Sequence, residues 1–214
     1  MPCKFPFFHF VFGPCRKCDL NTSARVKTCG TIRIDNQYIY DSLCPSYPLY
    51  AIQDTLNAAK PGFGSFATTI LKLNNLYGDN KEDHATLPTG CAIYKMSRSW
   101  ESWDSMFLRG QQNDVFSEGY FRFKKRMGIH GLAWVLEHHM GNKATILLHC
   151  RLSMLGESFS TKYKWEDGNR RLIAMESVVN EEQPLLEIMV GLNPATMDLL
   201  VSTWAMRIAH KFRG

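Results

Sequence analysis

The sequence of 214 residues lacks a long uninterrupted apolar run. Its apolar stretches include residues 5–12, which Pro6 and His9 interrupt, and residues 144–148. Both are far shorter than the roughly 18 apolar residues that a membrane-spanning helix needs. A secretory signal is not expected, because the first residues contain prolines and no small-x-small cleavage site follows them. Pro2 also argues against N-myristoylation, which requires a glycine at the second position.

The sequence also lacks a motif that identifies an enzyme. The glycines of 62–64 have the form G-x-G, but no preceding strand or phosphate-binding lysine accompanies them, so we predict a turn between helices. Cys91 and Cys150 lie in apolar runs and are predicted to be buried. Cys150 could pair with His138 or His139 as a nucleophile, but cysteines within a strand pattern are usually inert. We expect no enzymatic activity and no cofactor, with a cysteine-dependent enzyme as an alternative.

Metal-binding patterns are scarce. Among seven cysteines, Cys15 and Cys18 form a C-x-x-C pair, and no second pair follows at a usual separation. A zinc site there is an open alternative, whereas free thiols are the expectation. His149 could share a metal with His138 or His139, but adjacent strand residues point to opposite faces, so only one of those two could join it. We therefore predict no metal site.

Positive charge is concentrated near the beginning of the sequence. The chain has a net charge of +5, and residues 1–34 contain six basic residues and one acidic residue, so the remaining 180 residues are neutral overall. A basic segment joined to a neutral body attracts phosphate-rich partners, either nucleic acid or anionic lipid headgroups. We interpret residues 1–24 as an irregular basic and aromatic arm and residues 25–214 as a single domain.

A second basic strip follows Tyr120 and Phe121. It consists of Arg122, Lys124, Lys125 and Arg126. Basic residues beside aromatic rings could bind phosphates and stack nucleic-acid bases. An edge strand protected by lysines gives the same pattern, and we favour that interpretation.

Hydrophobic periodicity predicts both helices and strands. Apolar residues at helical spacing predict helices over residues 46–60 and 65–77. Period-two patterns and turn residues predict the strands 25–34, 38–40, 91–96, 120–123, 132–136, 144–152 and 171–179.

The last predicted element is a helix that begins at Asn193. Asn193 is the expected N-cap and Pro194 the first helical residue. One face carries Met197, Leu200, Val201, Trp204 and Ile208. We expect this face to dock on the sheet. The predicted fold class is therefore α+β, with an antiparallel sheet packed against two or three helices and an irregular basic N-terminal arm.

The predicted order of elements resembles that of rhabdovirus matrix proteins, especially the lyssavirus type. The likeness runs from Pro61-Gly62 through residues 70–76 to residues 88–96, where a P-x-G turn leads into the strand Cys91-Ala92-Ile93-Tyr94-Lys95-Met96. It continues through residues 131–134 and 148–151. The P-P-x-Y motif that many such proteins carry is absent.

This resemblance implies a viral structural protein that self-associates, condenses the nucleocapsid and binds the inner membrane surface during assembly and budding. It would be found in the virion, in the host cytoplasm and on the cytoplasmic face of host membranes, with host proteins as further partners. The residues expected to bind membrane and nucleocapsid are Lys4, Phe7, Phe8, Arg16, Lys17, Arg25 and Lys27. The alternative is a nucleic-acid-binding viral accessory protein that acts on host processes.

Overall fold

The structure is a computed structural model, and it describes residues 30–54, 67–73, 90–98, 105–111, 118–128, 131–153, 162–179 and 183–212. These residues form twelve strands and one helix. The strands are β1 (Gly30–Asp35), β2 (Tyr38–Asp41), β3 (Cys44–Asp54), β4 (Ala67–Leu73), β5 (Gly90–Arg98), β6 (Ser105–Gly110), β7 (Tyr120–Gly128), β8 (Gly131–Met140), β9 (Lys143–Ser153), β10 (Lys162–Asp167), β11 (Leu172–Val179) and β12 (Gln183–Ile188). The helix is α1 (Pro194–Phe212). Within these ranges, no helix combines the length and the hydropathy needed to cross a bilayer.

The strands form one closed antiparallel barrel in sequence order. Each strand pairs with the strands before and after it, and β1 closes the barrel by pairing with β12. In this closing pair, Gly30 lies opposite Ile188 and Arg33 lies opposite Leu185. Closure pairs each of these twelve strands on both sides, so none of them presents an exposed sheet edge. The predicted α+β sheet packed against two or three helices is therefore wrong.

Helix α1 occupies the interior of the barrel. A barrel of about eight strands is filled by its own side chains, and the diameter grows with strand number, so twelve strands leave room for a helix. The 19 residues of α1 span about 28 Å at the usual helical rise. Trp204 is fully buried on the predicted face, and Leu199, Ser202 and Met206 of other faces are also buried. The helix is enclosed on all sides instead of docked through one face.

The beginning of α1 was predicted correctly. The Asn193 side-chain oxygen accepts a hydrogen bond from the Thr196 backbone N–H at 2.8 Å, which is the geometry of an N-cap. Pro194 is the first helical residue, where its missing N–H costs no intrahelical bond.

Two polar clusters, the second of them fully buried, fix α1 inside the barrel. Near its N-terminus, Asp198 accepts hydrogen bonds from the Tyr50 hydroxyl at 2.6 Å and from Lys72 Nζ at 2.7 Å. Burial and the Asp198 charge raise the pKa of Tyr50 well above its ordinary value, so the hydroxyl keeps its proton and donates it to the carboxylate. Near its C-terminus, Arg207 Nε donates to Glu176 Oε2 at 2.9 Å. Since buried charges need partners, these clusters define the helix position.

The helices predicted over 46–60 and 65–77 are strands β3 and β4 wherever the structure describes them. In β4, alternate positions face the interior, but Thr68 and Lys72 occupy two of them, so the apolar alternation is hidden in the sequence. In β3, the adjacent residues Leu49 and Tyr50 are both buried, which also masks a period of two. These two helices belong to the element order that resembles rhabdovirus matrix proteins, and the described structure does not contain them.

Most of the predicted strands are confirmed. The β1–β2 hairpin turns at Asn36, which has a φ of 54° that asparagine tolerates well. The β8–β9 hairpin turns at Gly141 and pairs Met140 with Lys143. The predicted strands 91–96, 120–123 and 171–179 correspond to β5, β7 and β11, whereas β6, β10 and β12 were not predicted.

Candidate anion-binding face

Strand β7 carries the basic strip, and its side chains alternate between the two faces of the barrel wall. Phe121 and Phe123 are fully buried, so their neighbours Arg122, Lys124 and Arg126 lie on the outer face. Strand β7 pairs with β6 and β8 on its two sides. The edge-strand interpretation of this strip is therefore wrong.

Lys125 of the same strip does not belong to this outer set. It has the same parity as Phe123, and its Nζ lies 5.2 Å from the centroid of the Trp134 ring. This distance is within the range of a cation–π interaction. The sequence strip is therefore divided between the two faces.

A buried carboxylate on β8, Glu137, holds two cations of the outer face. Lys124 Nζ lies 2.7 Å from Glu137 Oε2, and Arg126 pairs with Glu137 Oε1 at 2.5 Å. His139 Nε2 lies 3.3 Å from Oε2. Burial by itself would raise the pKa of Glu137, but the Lys124 hydrogen bond and the Lys124 and Arg126 charges outweigh it and lower the pKa. Glu137 therefore stays ionised and orients the cations around it.

A second buried carboxylate, Glu166 on β10, holds two more cations. Its Oε1 accepts a hydrogen bond from Arg151 Nη2 on the adjacent strand β9. Arg170, in the turn after β10, places Nη1 3.6 Å from Glu166 Oε2. Only 8% of the Glu166 side chain is exposed, whereas 54% of the Arg170 side chain is exposed. The cations remain accessible although their carboxylate is buried.

Strand register aligns the cations into a row across the barrel wall. Arg126 lies opposite Ala133, which lies opposite Arg151, which lies opposite Lys164. At the usual strand spacing, Arg126 and Lys164 are about 14 Å apart. We define the basic face as Lys124, Arg126, Arg151, Lys164 and Arg170. With Glu137 and Glu166 it carries five positive and two negative charges.

Two exposed apolar side chains follow this row at one end of the barrel, where strand alternation turns them toward the inner side of the wall. Met127 follows Arg126 and is 81% exposed, and Leu152 follows Arg151 and is 43% exposed. Both belong to the next cross-strand row, because Leu152 lies opposite Tyr163 and Met127 lies opposite Leu132. We call Met127 and Leu152 the apolar rim.

The predicted arm residues lie outside the described part of the chain. These are Lys4, Phe7, Phe8, Arg16, Lys17, Arg25 and Lys27, together with the C-x-x-C cysteines 15 and 18. The structure therefore neither tests the arm nor tests the zinc alternative.

The cysteine and histidine predictions have mixed outcomes. Cys150 is fully buried as predicted, and burial raises the pKa of its thiol to about 12, which leaves no thiolate for nucleophilic attack near pH 7. Cys91 is exposed, contrary to the prediction, because it lies near the end of β5. His138 stacks on the buried ring of Phe121 at 4.6 Å. In the described ranges, no three metal-binding side chains converge.

Three of the five cations of the basic face were missed in the sequence. Arg151, Lys164 and Arg170 come from β9, β10 and the following turn, and only strand register brings them next to β7. The alternation of charged and aromatic residues in Lys162–Asp167 was an available signal for an outer face. Searches against protein-family models, curated proteins and solved structures found no match to this chain.

Proposed function

We propose that this chain is a non-enzymatic domain that binds a membrane surface rich in anionic lipid headgroups. The observation that carries this proposal is the row of oriented cations on the outer face, with the apolar rim at the adjacent end of the barrel. Peripheral membrane binding draws on both features, since charge attraction and apolar insertion add to each other.

Electrostatics supports an anionic partner. The basic face has a net charge of +3, and its cations keep much of their exposure, with 50% of the Arg126 side chain and 33% of the Arg151 side chain accessible. Each basic residue near an anionic bilayer contributes on the order of 1 kcal/mol. The buried carboxylates orient these cations in advance, so fewer side-chain rotamers are lost on binding.

The apolar rim favours a lipid surface over a nucleic acid. Met127 and Leu152 can enter the boundary between headgroups and acyl chains, where buried apolar area adds affinity. Single-stranded nucleic acid would instead need an aromatic face on which bases stack. Tyr120 is an exposed ring on the same strand as the strip, and His139 already stacks on it at 4.9 Å with an interplanar angle of 4°.

The matrix-like roles inferred from the resemblance extend this proposal. A domain that binds the cytoplasmic face of a host membrane and also self-associates could link a viral nucleocapsid to that membrane during assembly and budding. Self-association, nucleocapsid binding and host-protein binding remain predictions. Analytical ultracentrifugation of the full chain at several concentrations tests self-association directly.

Co-sedimentation with liposomes tests the membrane proposal. The test variant is Arg126→Gln/Arg151→Gln/Lys164→Gln, and vesicles of phosphatidylcholine with and without phosphatidylserine are the probe. We expect at least a tenfold loss of binding to the anionic vesicles, since about three charges are removed. Binding by the unmodified chain should weaken as salt rises, because exposed charges are screened.

The matched control is Lys95→Gln/Arg109→Gln/Lys143→Gln, which removes three exposed cations from other parts of the barrel. We expect it to retain binding within about twofold. Equal losses in the two variants would show that only net charge matters and would contradict a localised site. Binding to RNA but not to anionic vesicles would favour the nucleic-acid alternative instead.

A further inference from the structure

A buried histidine, His149, lies at the centre of the basic face. Its neighbours in β9, Leu148 and Cys150, are buried in the barrel interior, so His149 points to the outer face. Even there it is only 3% exposed. Register places it opposite Val135 of β8 on one side and Glu166 of β10 on the other.

His149 and Glu166 each have a buried polar atom that lacks a hydrogen-bond partner. Among the described residues, neither His149 Nδ1 nor Glu166 Oε2 has such a partner. Arg170 Nη1 lies 3.6 Å from Oε2, which is within ion-pair range but too long for a hydrogen bond. Nδ1 accepts a hydrogen bond when it lacks a proton and donates one when it carries a proton, so an added proton on Nδ1 would supply a donor for Glu166 Oε2.

We propose that His149 and Glu166 form a proton-dependent pair that strengthens membrane binding at acidic pH. This inference rests on the proposed membrane-binding function. The proton comes from solvent and binds Nδ1, which then donates a hydrogen bond to Glu166 Oε2. The face gains one positive charge. The ion pair between Arg170 and Glu166 is weakened, so Arg170 becomes available to an anionic headgroup.

The charges around His149 couple its proton uptake to the binding of an anionic membrane surface. Arg126 faces it from β7, Arg151 from its own strand, and Arg170 and Glu166 from β10 and the following turn. Burial lowers the pKa of His149, and the three arginines lower it further against the opposing effect of Glu166. Strand β8 contributes the apolar Val135 at this position. An anionic surface would screen the arginines and raise the pKa, so binding and proton uptake must favour each other.

Liposome co-sedimentation at pH 7.4 and pH 5.5 tests this inference. The proteins compared are the unmodified chain, His149→Gln and the control His139→Gln, which removes an outer-face histidine next to Glu137 instead of Glu166. We expect the unmodified chain to bind phosphatidylserine vesicles about fivefold more tightly at the lower pH, the contribution of about one added charge, and His139→Gln to keep more of this gain than His149→Gln. His149→Gln should lose this gain and bind normally at pH 7.4.

The same pH dependence in His149→Gln and the unmodified chain would overturn the inference. Absence of binding by every protein at both pH values would contradict the proposed function itself, which separates the two failures. If His149→Gln does not fold, NMR titration of the histidine Cε1–H signals in the unmodified chain provides the test. His149 should titrate below its ordinary range of about pH 6.5, and a signal that does not move between pH 4.5 and 7.5 would also overturn the inference.

Discussion

The interior and the outer face of this barrel both contain buried carboxylates paired with arginine, but these pairs have different roles. Inside, Glu176 is fully buried and its partner Arg207 is 4% exposed, so neither charge can reach a ligand. Arg207 also lies 4.1 Å above the Tyr163 ring. Outside, Glu137 and Glu166 are nearly as buried, with 5% and 8% of their side chains exposed, but their cations extend into solvent. Inside, both members of the pair are buried, and the pair fixes the helix. Outside, only the carboxylates are buried, so the pairs present oriented cations to a partner.

The largest effect is expected from breaking the inner pair. Glu176→Gln leaves Arg207 buried without its counter-charge and also weakens the acceptor of the Trp165 indole N–H, which lies 3.2 Å away. Removing one member of a buried ion pair costs about 3–5 kcal/mol of unfolding free energy. The matched outer change, Glu166→Gln, should cost only about 1 kcal/mol, because Arg151 and Arg170 remain hydrated. Urea denaturation monitored by tryptophan fluorescence measures both.

The double variant Glu176→Leu/Arg207→Met is the control for this comparison. An apolar pair of similar volume removes both charges together and should recover most of the lost stability, because no uncompensated charge remains. Losses of the same size for Glu176→Gln and Glu166→Gln would show that the two carboxylates do not differ in the way described.

The second prediction compares the basic face with the arm. Deleting residues 1–24 removes Lys4, Arg16 and Lys17 together with several phenylalanines. Binding to phosphatidylserine vesicles should fall at least about tenfold, through lost charge and lost apolar insertion. The barrel should still fold, because β1 begins at Gly30, and circular dichroism checks this. A folded truncated chain that sediments as well as the full chain would assign binding to the basic face alone.

The smallest effect concerns stability and pH. The pKa of His149 is lowered in the folded chain, so the unfolded chain binds more protons as pH falls below about 6.5. Stability should therefore decrease between pH 7 and pH 5, by at most about 1.4 kcal/mol per pH unit. His149→Gln should remove this slope in urea denaturation series. If His149→Gln and the unmodified chain show the same slope, His149 is not the cause of the pH dependence.

Glu137 contributes to stability in a lower pH range. Its pKa is lowered on folding, so the stability it supplies is complete above its unfolded value of about 4.3 and is lost as pH falls through the folded value. The two groups therefore act in different windows, which keeps the His149 measurement above pH 5 free of the Glu137 contribution.

Local signals predicted the local structure well. The N-cap at Asn193, the proline after it and the turn at Asn36 each depend on a few neighbouring residues, and all were correct. The strands that alternate clearly, such as β7, were also found. These features need no knowledge of the rest of the chain.

The global arrangement could not be predicted in the same way, because it depends on long-range partners. Lys72 faces the barrel interior only because Asp198 of α1 meets it there, 126 residues away in the sequence. Because a lysine occupies an inward position, β4 lacks a clear apolar alternation, and its sequence was predicted to be part of a helix. The basic face is likewise assembled from β7, β9 and β10 by strand register. The sequence alone therefore does not predict that Arg126 and Lys164 lie close together.

The order of the elements along the chain has a consequence for synthesis on the ribosome. The residues of α1, which fill the barrel, follow all twelve strands in the sequence. At about 5–20 residues per second, roughly 10–40 s separate the emergence of β1 from that of α1. During this interval the inward-facing apolar side chains of the strands have no helix to cover them. We expect the nascent chain to depend on chaperones that shield apolar strands until α1 has been made.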